Sequence, residues 1–164
     1  MNVRETWFRT PERVQALQAA AARWVGTPWV WGSAVCQSGV DCVRLCAALY
    51  AETGALPEPM GWMPDWRSHS SRRIDAAVMW LESGRDGAGS YFCRVPERGL
   101  LAGDLLMFSG AHLHFAVVLP GGEFIHAINP HGAILGHLGD VAFMSRLVGA
   151  WCVAERNHGC GTNH

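Results

Sequence analysis

The first half of the chain carries apolar residues at the period of a helix, and the second half breaks into short apolar runs. Val14, Leu17, Ala21, Trp24 and Val25 would line one helical face, which predicts an amphipathic helix over 11–25. Thr10-Pro11 supplies its start, because a threonine oxygen caps unpaired amides and proline suits the first turn. Gly26-Thr27-Pro28 stops it, and Trp29 to Gly39 reads as a loop. A second helix is predicted from Cys42 to Thr53, with Leu45, Cys46, Leu49 and Tyr50 apolar and Gly54 as its C-terminal stop. Pro57, Pro59 and Pro64 predict an irregular connection over 55–69. A third helix opens at Ser71-Arg72-Arg73-Ile74-Asp75 and fades at Gly84, where a glycine-rich stretch runs to Gly89.

A short strand is expected at Phe92–Val95. Beyond it the runs Leu105–Phe108, Leu113–Leu119, Phe124–Ile128, Ala133–Gly136 and Val148–Ala154 are separated by glycine or proline, the pattern of an antiparallel sheet. Helices first and strands second predict an α+β fold, not a parallel α/β one. No repeat or linker interrupts the pattern, so a single domain over 1–158 is expected, with 159–164 a frayed tail.

Composition narrows the classes. At 164 residues, 49% hydrophobic and 16% charged, the chain is globular and large enough for a core without disulfide or metal staples. A formal charge of -1 provides no field for nucleic acid or an anionic membrane. No stretch approaches the length that crosses a bilayer. The start Met-Asn-Val-Arg-Glu-Thr-Trp has no basic segment followed by an apolar run, so synthesis in the cytoplasm without a signal peptide is expected. The six cysteines are then expected as thiols. Of eight tryptophans, Trp29, Trp31, Trp62 and Trp66 stand in loop-like contexts, where indole suits carbohydrate or another amphipathic partner, although most such residues are core.

Candidate chemistry begins at Asp41-Cys42. Aspartate is a good N-cap, and a thiol in the first turn of a helix feels the positive end of its dipole. That favours the thiolate, the attacking species in cysteine chemistry. The alternative is a small buried hydrophobe, as most free cysteines are. His114 and His126 lie within apolar runs on either side of Pro120-Gly121-Gly122. A two-residue hairpin loop would set them on opposite faces of the sheet. A three-residue loop pairs Leu119 with Glu123 and sets both on one face, as diagonal neighbours. One ring can then act as base while the other orients it.

With these residues in hand the chain resembles the NlpC family of papain-like cell-wall cysteine peptidases. Gly26-Thr27-Pro28-Trp29-Val30-Trp31-Gly32 is similar to the family's Gly-Thr-Pro-Tyr-x-Trp-Gly loop, and Asp41-Cys42-Val43-Arg44-Leu45 to its Asp-Cys-Ser-Gly-Leu turn. Ala102-Gly103-Asp104-Leu105 is similar to its Pro-Gly-Asp-Leu. His114-Phe115-Ala116-Val117-Val118 with Phe124-Ile125-His126-Ala127 is similar to its His-Val-Gly-Ile-Tyr and Phe-Ile-His-Ala pair. The resemblance implies a papain-like NlpC fold with the nucleophile helix packed on a C-terminal antiparallel sheet. It also implies hydrolysis of a peptidoglycan stem-peptide amide, of D-glutamyl–diaminopimelate type, without cofactor or metal. Cys42 would be nucleophile, His114 general base and His126 orienter. Trp29, Trp31 and Asp41 would bind substrate, Asp41 meeting an amine or only capping the helix.

The segment Pro57-Glu58-Pro59 with Pro64-Asp65-Trp66 looks most like the phage-tail and gene-transfer-particle branch, which implies tail or baseplate-like partners. Trp29 stands where the family has tyrosine, and Val43-Arg44 where it has Ser-Gly, so substrate choice is open. A guanidinium at 44 would favour the thiolate unless it points to solvent. Rival readings are a zinc site using His112, His114 and Cys42 or His126, an acyltransferase or amidase on another substrate, and a non-catalytic cell-wall-binding tail protein. Cys36 is a candidate accessory thiol that could bond Cys42 on oxidation, and Cys46 is expected in the core.

Overall fold

The structure, a computed structural model, describes residues 5–57, 71–83 and 91–155. After a single 3-10 turn at Trp7–Arg9 come α1 (Pro11–Trp24), a small hairpin of β1 (Ala34–Val35) and β2 (Gly39–Val40), α2 (Cys42–Glu52) and α3 (Ser71–Glu82). Then follow β3 (Phe92–Val95), β4 (Leu105–Phe108), β5 (His114–Leu119), β6 (Glu123–Ile128), β7 (Gly132–His137), α4 (Val141–Met144) and β8 (Leu147–Val153). Six strands form one antiparallel sheet in the order β3-β8-β4-β5-β6-β7. This is the α+β arrangement expected from the order of the patterns. Trp62, Trp66, the glycine-rich stretch from Gly84, the tail 159–164 and most of the proline-rich connection lie outside the described residues.

The caps act as their residue types dictate. Thr10 accepts from the Arg13 amide and Asp41 from the Arg44 amide, each at its helix start. One face of the sheet meets the helices: Phe115, Val117, Ile125 and Ala127 pack with Leu45, Leu49, Leu17 and Trp24. The other face holds Leu106, Phe108, Ala116, Val118 and Phe124 under Leu138, Phe143 and Met144. Alternation along each strand divides the residues between these layers.

Three elements depart from the sequence reading. The 3-10 turn and α4 are too short for helical periodicity to register. The β1–β2 hairpin falls almost entirely inside the expected loop of 29–39 and runs one residue past it, to Val40. It has only two residue pairs, and β1 is exposed, so no apolar alternation announces it. Val40 also bonds back to Pro28 and Val30, which ties the tryptophan-bearing segment to the start of α2. That segment hangs in turn on β7, through Gly26 N to Ala133 O at 2.9 Å and Ala133 N to Thr27 O at 2.8 Å.

Candidate active site

Asp41 and Cys42 open α2 where it meets the sheet. The Asp41 carboxylate is 1% exposed. Its Oδ1 accepts from the Arg44 amide at 2.9 Å, and its Oδ2 from the Gly32 amide at 2.8 Å and Arg44 Nη1 at 2.7 Å. Of the two roles expected for Asp41, the structure shows capping, extended to holding the preceding loop. The Arg44 guanidinium is engaged on this carboxylate.

The Cys42 sulfur is buried against the backbone on either side of His114. Its thiol is directed at the Leu113 carbonyl oxygen, 3.9 Å away, and the Phe115 amide faces the sulfur. The strands part here. β5 pairs with β4 as far as Phe108–His114 and β6 with β7 as far as Ile128–Gly132, but the ladder between β5 and β6 stops at Val117–Ile125. The sulfur therefore lies where β5 has lost its β6 partner, beside the Phe115 amide.

Burial pushes the Cys42 thiol up to about 11. The neighbouring Asp41 charge adds to the rise, and the Phe115, Val43 and Cys42 amides only partly oppose it. This corrects the expectation of a resting thiolate: desolvation outweighs the helix dipole, and the free protein holds a neutral thiol.

The hairpin takes the three-residue form, pairing Leu119 with Glu123, with Gly121 and Gly122 at φ 82 and 75. The two histidines consequently share one face. His114 Nε2 lies 2.7 Å from His126 Nδ1, with ring centroids 5.0 Å apart. That face is the one opposite α2. The imidazoles pack against Phe108, Phe124 and Phe143, while the sulfur approaches the backbone of 113–115 from the helix side. Cys42 and the His114 backbone are brought together, as are the two rings, but the thiol's hydrogen bond goes to the Leu113 carbonyl and not to an imidazole nitrogen. Burial lowers His114 to about 3, aided by His126 and Arg146, and lowers His126 to about 4, aided by Arg146. Both rings are neutral at physiological pH.

Trp29 is half-buried and Trp31 is 37% exposed, their rings 6.4 Å apart. The Arg44 guanidinium lies 5.9 Å from the Trp31 ring. Together they form an aromatic and cationic rim beside the start of α2. The Cys36 thiol turns to the Arg23 carbonyl at 3.2 Å, away from the Leu113 side where Cys42 is directed. Cys46 is core.

Residues 26–151 match the family model described as the NlpC/P60 family. The chain belongs to the NlpC/P60 family. Among solved structures it is similar to an NLP/P60-family lipoprotein-like protein from Staphylococcus aureus, with 23% identity and a TM-score of 0.63, over 95% of this chain and 46% of that one. An NlpC/P60 protein from Bacillus cereus is similar at 19% identity and TM-score 0.56, over 84% of this chain and 39% of that one. The peptidoglycan hydrolase RipB from Mycobacterium tuberculosis is similar at 16% identity and TM-score 0.57, over 88% and 66% of the two chains. The chain thus spans less than half the length of the first two. At these identities the likeness shows the fold. No curated protein sequence matches the chain.

Within this NlpC/P60 domain, Phe143 and Arg146 are site residues that sequence reasoning missed. A four-residue helix after a glycine-rich stretch carries no periodic signal, and nothing local links it to histidines on a distant hairpin. Among the described residues no group of three or more His, Cys, Asp or Glu side chains is placed to hold a metal, and no helix is long and apolar enough to cross a membrane.

The neutral imidazoles make stability depend on pH. Their folded pKa values, about 3 and 4, lie below the ordinary 6.5, so between about 6.5 and 4 the unfolded chain binds protons that the folded one refuses. Stability is full above pH 6.5 and falls as pH drops through this window, by roughly 2 kcal/mol per histidine at pH 5. Urea midpoints at pH 7.5 and pH 5 measure it. A midpoint that holds steady or rises on acidification would contradict the buried neutral pair.

Proposed function

We propose that this NlpC/P60 domain is a cysteine peptidase that hydrolyses an amide bond in peptidoglycan stem peptides. The carrying observation is the sulfur at a helix start, set in the opening between β5 and β6 against the backbone flanking His114, whose Nε2 is already held by His126. The printed description of the structurally similar RipB as a peptidoglycan hydrolase supports the choice of substrate.

With His114 Nε2–H donating to His126 Nδ1, the lone pair of His114 is on Nδ1, the ring nitrogen nearer the backbone that the sulfur touches. Substrate entry turns the thiol from the Leu113 carbonyl toward that nitrogen; catalytic hydrogen bonds commonly tighten only in the complex. His114 takes the thiol proton as sulfur bonds to the scissile carbonyl carbon, and the oxyanion is met by the Cys42 amide at the helix start. Collapse breaks the C–N bond, and His114 returns the proton to the departing amine. Water, deprotonated by His114, then cleaves the thioester and frees the acid and the thiol. A neutral thiol and a neutral imidazole hold between them the one proton this cycle relays.

Two finer proposals attach to this reading. The cut lies between D-glutamate and diaminopimelate, and the protein is carried on a phage-tail or gene-transfer particle, as the wording of residues 57–66 suggests. Digestion of purified muropeptides, with mass spectrometry of the fragments, tests the first: new diaminopimelate amino termini are expected. Cleavage elsewhere in the stem moves the site of action, and intact muropeptides refute the peptidase. Immunoblotting of purified particles against the cell lysate tests the second, which fails if the chain is absent from the particles.

A further inference from the structure

We propose that Phe143 is a positioning residue for the histidine pair, closing the outer side of both imidazoles and fixing the orientation in which His114 meets the thiol. The inference rests on the peptidase reading for its consequence in rate, but not for its structural content. A single hydrogen bond sets the distance between the two rings and leaves their planes free to tilt. The Phe143 ring removes that freedom. It stands edge-on to both imidazoles, 6.0 Å and 81° from His114 and 5.2 Å and 84° from His126. It is itself wedged between Phe108 at 4.7 Å and Phe124 at 5.5 Å, within the range at which aromatic rings attract one another.

The wedge is anchored to the strand it serves. Asp140 caps α4, accepting from the Phe143 amide at 3.1 Å. The Arg146 guanidinium lies over the Phe143 ring, 4.6 Å from its centroid, and the Arg146 carbonyl accepts from the Ser109 amide at 2.9 Å. Ser109 lies between β4 and β5, so α4 is tied to the segment that leads into His114. A His114 ring that slips its plane by a few tens of degrees would lose its hydrogen bond to His126, and catalysis tolerates little of that.

The same cover explains why the rings stay neutral. The charged and titratable groups around His114 are His126 from β6 and Arg146 from the turn after α4. β4 offers only Phe108, Asp140 is engaged at its cap, Cys42 stays on the helix side, and His112 is exposed in the preceding turn. Removing the Phe143 ring admits water to the imidazoles while leaving Arg146 and His126 in place, and relief of desolvation raises a histidine's affinity for protons.

The test is Phe143→Ala with Phe143→Tyr as the conservative partner, read by NMR titration of the histidine ring protons and by the pH profile of kcat/KM. In the parent, neither His114 nor His126 is expected to titrate above pH 5. In Phe143→Ala at least one should titrate above pH 5.5, with kcat lower by about 10- to 100-fold, KM within about twofold, and the acid limb of the profile moved up by a similar amount. Phe143→Tyr, which keeps the ring, should return both readouts to within about threefold of the parent. If Phe143→Ala does not fold, Phe143→Leu keeps most of the volume and should move the titration in the same direction by less. Unmoved ring titrations in a folded variant overturn the inference, whatever happens to melting temperature. Moved titrations in a protein that cuts no muropeptide uphold it and refute only the peptidase reading.

Discussion

A Cys42→Ala chain is expected to lose muropeptide cleavage by about 10,000-fold or more, and His114→Ala by about 100- to 10,000-fold. The order follows from the geometry. Cys42 supplies the sulfur aimed at the Leu113–Phe115 backbone, so without it no thioester forms there. With the imidazole gone, a thiol of pKa about 11 is ionised in only about one molecule in 10,000 at pH 7, and the remaining rate comes from that fraction. The Cys42→Ala loss should not reflect unfolding, because trimming a small buried thiol costs about 1 kcal/mol, and circular dichroism melts verify that each variant is folded at the assay temperature. The two variants also separate the readings of the fold. A Cys42→Ala protein that clears cell-wall muropeptides as fast as the parent would make this a binding module. Retention of full activity in His114→Ala would remove the imidazole from the mechanism.

The largest effect on stability is expected far from the sulfur, at Gly132. Its φ of +78 lies in the left-handed region, and a Cβ added there would run into the Thr27 carbonyl oxygen, with the Thr27 carbonyl carbon at 3.1 Å and Pro28 Cα at 3.2 Å. All three are backbone atoms that cannot swing away. Gly132→Ala should therefore destabilise the fold by about 3–5 kcal/mol, and lower the melting temperature by about 10 °C or more. Gly121 is the control: its φ is +82, but nothing lies within 4 Å of an added Cβ, so Gly121→Ala should show only the left-handed strain, about 1–2 kcal/mol. Equal losses at the two positions would show that the contact between β7 and the 26–28 segment does not constrain the fold. The contact matters for chemistry as well, since that segment carries Trp29 and Trp31 and leads to the amide of Gly32 that Asp41 holds.

Much of this protein is legible along the chain because the informative features are local. The cap at Asp41, the helix behind Cys42 and the strands from Leu105 onward follow from spacing and turn chemistry. Pro120-Gly121-Gly122 was enough to suggest the three-residue loop, because consecutive glycines accept the positive φ it needs. From that loop, parity alone puts His114 and His126 on one face. Other features were not legible. The helix dipole argued for a thiolate, yet the sulfur is protonated. The Asp41 cap is legible, but its further hold on the Gly32 amide and the Arg44 guanidinium is not. The short β1–β2 hairpin and α4 left no periodic trace at all.

The chain on its own determined which atoms are present and how each segment turns: a sulfur one residue past a cap, and two imidazoles brought within reach of each other by a tight hairpin. Three-dimensional assembly settled how those atoms behave. It put the imidazoles on the side away from α2, opened the sheet between β5 and β6 for the sulfur, and sealed the rings beneath Phe143 with Arg146 close by. Torsional preference and periodicity are properties of neighbours in sequence. Desolvation, collision and the sign of a pKa shift depend on groups that meet only when remote segments fold onto one another.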